Sequence, residues 1–149
     1  MTTLVGRQSS SIEYLKKLLE LEYDAIGAYK FAISKVEDKI YKKQMLSFQN
    51  DHERHIGDLS QILATYNTGV KCPDMKEWLE KMIISMGDTL QGDKGILRAM
   101  SYVEKDTNTA YERYTAYRDM EEVVMKTLSQ CLVDERKHKD WFDANLNPC

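Results

Sequence analysis

Apolar residues recur at intervals of three and four along four long stretches of this 149-residue chain. That spacing lines one face of an α-helix. The first stretch carries Leu15, Leu18, Ala25 and Tyr29, with Leu19 and Ile26 widening the stripe. It predicts a helix over about 11–36, opened by the capping box Ser10-x-x-Glu13. Glu37-Asp38 restarts the chain into a second helix ending near residue 66, whose stripe is Met45, Phe48, His52, His55, Leu59, Ile62 and Tyr66. Gly69 suits a left-handed cap, and Pro73 suits the first turn of a short helix over about 74–86. A third helix over about 93–117 presents Leu97, Met100, Glu104, Thr107 and Tyr111. Asp119-x-x-Glu122 reads as a second capping signal, opening a fourth helix to about 144 with Val124, Leu128, Cys131, Glu135, His138 and Phe142 inward. No strand pattern competes.

The first and second helices, and the third and fourth, are linked by a few residues, so each pair forms an antiparallel hairpin. The second helix is ~42 Å long at 1.5 Å per residue. The roughly 26 residues after it can travel back along that length. The expected fold is therefore an all-α, antiparallel four-helix bundle with one long crossover containing a short helix. A flexible tail (1–10) precedes a single domain (11–145).

Polar residues interrupt the stripes in two near-copies. Asp51-His52-Glu53-Arg54-His55 matches Asp134-Glu135-Arg136-Lys137-His138, and about thirty residues before each stands Glu-x-Asp-x-x-x-Ala-Tyr, beginning at Glu22 and Glu104. All three histidines of the chain fall in these words. Glu22 and His52 each lie 15 residues from the first hairpin turn, near 37; Glu104 and Glu135 lie 15 and 16 from the second, near 119. All four helices thus present polar core residues at one height. Such a layer costs several kcal/mol per buried ion unless compensated, and divalent cations are the natural compensation. Oxygen and imidazole donors without thiolate suit iron or manganese, with zinc as an alternative.

The formal charge of −3, with acidic and basic residues interleaved, lacks the basic stripe of a nucleic-acid binder. No apolar run reaches membrane-spanning length and the N-terminus lacks a secretory stretch. Three cysteines without a Cys-x-x-Cys supply neither a disulfide framework nor a zinc ribbon. A cytoplasmic protein is the expectation.

At these residues the chain resembles the ferritin-like di-iron carboxylate superfamily, which includes rubrerythrins and bacterioferritins. It is most similar to small bacterial ferritin-like domains carrying Leu-Glu-x-Asp-Ala-Ile-x-Ala-Tyr and then Asp-His-Glu-x-His. The resemblance spans about 11–145 and implies a Glu, Glu-x-x-His, Glu, Glu-x-x-His ligand set along the four helices. Carried over, it names Glu22, His52, His55, Glu104, Glu135 and His138 as metal ligands. It also implies that Asp51 and Asp134 each hold the ligand histidine of the other hairpin through its outer N–H; a surface ion pair is the competing role. The departure is His52, which stands where the superfamily has a bridging Glu. A neutral imidazole has one lone pair and cannot bridge as a carboxylate does. Either the second metal binds weakly or Glu53 swings in, although Glu53 is about 100° round the helix.

The resemblance implies up to two iron ions reacting with dioxygen or peroxide, in a scavenging or stress role. No nucleic-acid or membrane partner is expected, and a homodimer is a candidate assembly. The rival reading is a non-catalytic helical interaction protein whose polar layer is structural or binds one metal. Tyr29 and Tyr111 read as core packing with wet hydroxyls, and Cys131 as a small apolar filler.

Overall fold

The computed structural model describes residues 2–68 and 92–147. Among them are four α-helices, one 3-10 turn and no strand. Helix α1 (Ser11–Lys35) and α2 (Lys39–Thr65) form one hairpin; α3 (Gly92–Glu112), the 3-10 turn (Arg113–Ala116) and α4 (Glu122–Leu146) form the other. The expected short helix over 74–86 and the Gly69 cap lie outside the described residues. None of the described helices is long and apolar enough to cross a membrane.

Local chemistry sets the helix ends. The Ser10 side chain accepts the Glu13 N–H at the start of α1, and Asp38 accepts those of Ile40 and Tyr41 at the start of α2. Asp93, in the first turn of α3, accepts the backbone N–H groups of Glu37 and Asp38 at 2.9 and 2.8 Å. That contact places the start of α3 at the α1–α2 turn. The Tyr14 hydroxyl meets the Ala110 carbonyl at 2.7 Å, and Lys94 Nζ reaches the Asn145 carbonyl. The helices consequently run up, down, down and up, and α2 ends at the opposite end of the bundle from where α3 begins. Each helix packs on two neighbours: α1 on α2 and α3, α4 on α3 and α2.

The stripes of α1, α3 and α4 are buried as expected. On α2 the stripe drifts: Leu63 is buried, while Ile62 and Tyr66 are only partly so. Strict alternation of three and four averages 3.5, so a 3.6-residue period requires an occasional second step of four in a row, and α2 takes it from Leu59 to Leu63. Two apolar clusters result. One gathers Tyr14, Leu18, Leu59, Leu63 and Leu128 at one end; the other gathers Tyr29, Met45, Phe48, Leu97, Met100 and Phe142 at the other. The polar layer lies between them.

Two expectations fail locally. Asp119 does not cap α4; Glu121 stands at the N-cap without a side-chain bond, and Asp119 instead accepts the Ser11 hydroxyl at 3.1 Å. The third helix tightens into 3-10 geometry at Arg113 rather than continuing to Tyr117, whose ring stacks on Tyr14 at 4.5 Å. The segment ahead of α1 meets the end of the third helix: Arg113 donates to the Thr3 and Val5 carbonyls, each at 2.7 Å, and Tyr117 to that of Gln8 at 2.8 Å. Gly6, at φ +98°, is where this segment passes Arg113, and a Cβ there would collide with that side chain.

Candidate metal centre

One side chain or pair from each helix reaches the layer between the clusters: Glu22 from α1, His52 and His55 from α2, Glu104 from α3, Glu135 and His138 from α4. All six are 0 % exposed. Their donor atoms fall into two groups, Glu22–His52–His55–Glu135 and His52–Glu104–Glu135–His138, each within 4.8 Å throughout. Groups of this composition can hold a metal ion. His52 and Glu135 belong to both.

In the first group His55 Nδ1 lies 3.0 Å from Glu22 Oε1 and 3.2 Å from Glu135 Oε1. His52 Nδ1 lies 2.6 Å from Glu22 Oε2 and 3.4 Å from Glu135 Oε1. In the second, His52 Nε2 is 3.1 Å from Glu104 Oε1, and His138 Nδ1 is 3.5 Å from Glu104 Oε1 and 3.9 Å from Glu135 Oε2. Glu53 is exposed and paired with Gln49, so it takes no part.

The outer nitrogens of two histidines leave the layer. His55 Nε2 meets Asp134 Oδ2 at 3.0 Å, and His138 Nε2 meets Asp51 Oδ2 at 2.8 Å, each aspartate coming from the other hairpin. Arg54 and Lys137 each pair with both aspartates from the solvent side. The aspartates thus make both contacts that the sequence left in competition. An Nε2–H that donates to a carboxylate leaves Nδ1 with a lone pair. That lone pair faces carboxylate oxygens. Acceptor against acceptor is repulsive in a dry layer unless a proton or a metal cation lies between them. His138 Nδ1 and Glu135 Oε1 are buried without a hydrogen-bond partner, and they belong to different ends of the layer.

The tyrosine hydroxyls are not wet. Tyr29 donates to Glu104 Oε1, and Tyr111 to Glu22 Oε1 at 2.5 Å, each crossing to the other hairpin. Sequence reasoning also passed over Thr107 and Asn108. Thr107 Oγ1 donates to Glu135 Oε2 at 2.7 Å; Asn108 Nδ2 ties the Glu104 and Glu135 carbonyls together at 2.8 Å each. A polar residue on the inner stripe one turn after Glu104 was the available signal.

Without metal the layer is charged in a definite pattern. Burial alone would raise the carboxyl of Glu22, but His52 and His55 hold it at about 2. Glu104 is likewise kept low against its burial by His52 and His138. Glu135 is pushed up to about 7 by burial, with Glu104 and Glu22 opposing the attraction of His52. Burial works against charge on His52 and His55, yet both are raised well above the usual imidazole value, His52 by Glu135, Glu22 and Glu104, and His55 by Cys131 and then Glu135 and Glu22. Burial and the neighbouring carboxylates raise Tyr29 and Tyr111, which stay protonated as donors.

The model of a family described as "Domain of unknown function (DUF2383)" matches residues 10–117. The match takes in Glu22, His52, His55 and Glu104 and stops before α4, which carries Glu135 and His138. No curated protein and no solved structure matches the chain.

Proposed function

We propose that this chain, which belongs to the DUF2383 family, is a ferritin-like metalloprotein that holds two metal ions in the polar layer of its bundle. Glu22, His55 and Glu135 would hold one ion, and Glu104, Glu135 and His138 the other, with His52 within reach of both. The observation that carries the reading is the pair of buried atoms without a hydrogen-bond partner, Glu135 Oε1 and His138 Nδ1, facing opposite donor groups of a fully buried layer. Native interiors rarely leave such groups unpaired. A cation that accepts their lone pairs removes the penalty.

Iron is the first candidate, with manganese or zinc as alternatives. Bound iron would supply electrons to dioxygen or peroxide. The chain's own residues do the rest. Asp134 and Asp51 orient His55 and His138 so that Nδ1 points inward. Tyr29 and Tyr111 steady the two carboxylates that the sequence repeat pairs, Glu104 and Glu22. The apolar clusters on either side exclude bulk water.

The rival is a metal-free network of imidazolium and carboxylate groups in a helical interaction protein, homodimeric or otherwise. The short His52–Glu22 contact, at 2.6 Å, favours it, because an imidazolium makes that bond without any metal. Anaerobic loading with ferrous iron followed by metal analysis decides between them. The expected result is two ions per chain, oxidised when dioxygen or peroxide is admitted. A protein that retains no ferrous, manganous or zinc ion leaves only the network.

A further inference from the structure

We propose that His52 bridges the two metal ions through opposite ring nitrogens, Nδ1 toward the ion held by Glu22 and His55, Nε2 toward the ion held by Glu104 and His138. The inference rests on the metal reading above and specifies how the two ions are joined. His52 is the one histidine of the layer with both nitrogens inside it. Nδ1 approaches Glu22 Oε2 at 2.6 Å, and Nε2 approaches Glu104 Oε1 at 3.1 Å. The other two histidines each direct Nε2 outward to an aspartate.

The sequence repeat of the two hairpins supports the same role. His52 is the counterpart of Glu135, and these two are the residues shared by both groups. Glu135 divides its oxygens: Oε1 faces His52 and His55, Oε2 faces His138 and Thr107. His52 divides its nitrogens in the same way. Were His52 to bind one ion only, its second nitrogen would keep a proton and donate it to Glu104 Oε1 or Glu22 Oε2. Either bond ties up a carboxylate oxygen that the other ion needs.

Charge points the same way. Glu22, Glu104 and Glu135 bring three negative charges into the layer, while Asp51 and Asp134 face Arg54 and Lys137. Two divalent ions bring four positive charges. A bridging His52 gives up both ring N–H protons to solvent, one as each ion binds, and the imidazolate supplies the fourth negative charge. Each nitrogen lone pair forms one metal bond, and no electron changes hands. A neutral His52 would leave an uncompensated positive charge in a dry interior, which is costly.

With metal–nitrogen bonds of ~2 Å on opposite sides of the ring, the ions would stand roughly 6 Å apart. That exceeds the ~3.5–4 Å usual for two-metal sites. The test uses the full chain loaded with two equivalents of zinc, which is redox-inert. Crystals are measured at the zinc edge, and zinc affinities of wild type and His52→Ala are determined by chelator competition. Two anomalous peaks roughly 6 Å apart, flanking the His52 ring, support the bridge, as does at least tenfold weaker binding of both zincs by His52→Ala. Peaks ~3.5–4 Å apart, a ring touching one ion, or a single peak overturn the bridge and leave the metal reading standing. Either zinc held as tightly by His52→Ala as by wild type overturns it too. No zinc in the layer overturns the metal reading, and the bridge with it. Should His52→Ala not fold, the wild-type map decides alone.

Discussion

Tyr29 on α1 donates its hydroxyl proton to Glu104 on α3, so a residue of one hairpin steadies a buried carboxylate of the other. Tyr111 returns the contact to Glu22. Both hydroxyls are fully enclosed and both carboxylates are 0 % exposed, so no water replaces a lost donor.

Tyr29→Phe should therefore destabilise the protein. A hydrogen bond to a charged group contributes about 1.5–3 kcal/mol, which for a chain of this length lowers the melting temperature by roughly 5 °C. Melts of the metal-free variant check it, with the exposed Tyr102 changed to Phe as the control. Identical melts for Tyr29→Phe and the control would show that the contact contributes nothing.

Without metal, stability should fall as pH rises from about 5 to 8. Glu135, raised from 4.5 to about 7, is penalised when ionised; the penalty is absent below 4.5 and complete above about 7. His52 and His55, raised above 6.5, contribute stability that is full below that value and is lost as pH climbs through their folded values. Glu22 and Glu104 are held low, so their contribution is full above 4.5 and fades only toward pH 2. Glu135→Gln removes the penalty of ionising Glu135 and can still accept from Thr107. It should be more stable than wild type at pH 8, on the order of 2–3 kcal/mol, with little difference at pH 5. It should also lose metal. Urea unfolding in chelator at the two pH values, beside a zinc titration, measures both. A variant destabilised at pH 8 contradicts the assignment.

Asp134→Asn and Asp51→Asn should each weaken one ion. The outer carboxylate fixes which ring nitrogen carries the proton, and losing such a partner typically costs 10–100-fold in metal affinity. Chelator competition with zinc should show one site weakened in each variant and two in the pair. Arg54→Ala, at a side chain 55 % exposed, should change affinity far less. Unaltered affinity in both aspartate variants would detach these residues from the metals.

The helices and the height of the layer were legible because they depend on spacing along a single helix. Leu97, Met100, Glu104 and Tyr111 share a face whatever packs against them, and all are buried. Where a signal depended on a partner elsewhere in the chain, the local reading failed. Asp119 has the right spacing for a cap, yet Ser11, 108 residues away, takes it. Arg113 looks like one more surface cation until residues 3–5 wrap across it.

What the sequence by itself determined was which residues share the layer, since an α-helix of known period carries its register within itself. Only the tertiary structure decided how they share it. Which nitrogen of His52 faces Glu22 and which faces Glu104, and that each tyrosine crosses to the opposite hairpin, depend on distances between helices about 30 to 90 residues apart in the chain. Those distances follow from ridges and grooves meeting across the bundle. No periodicity within one helix records them.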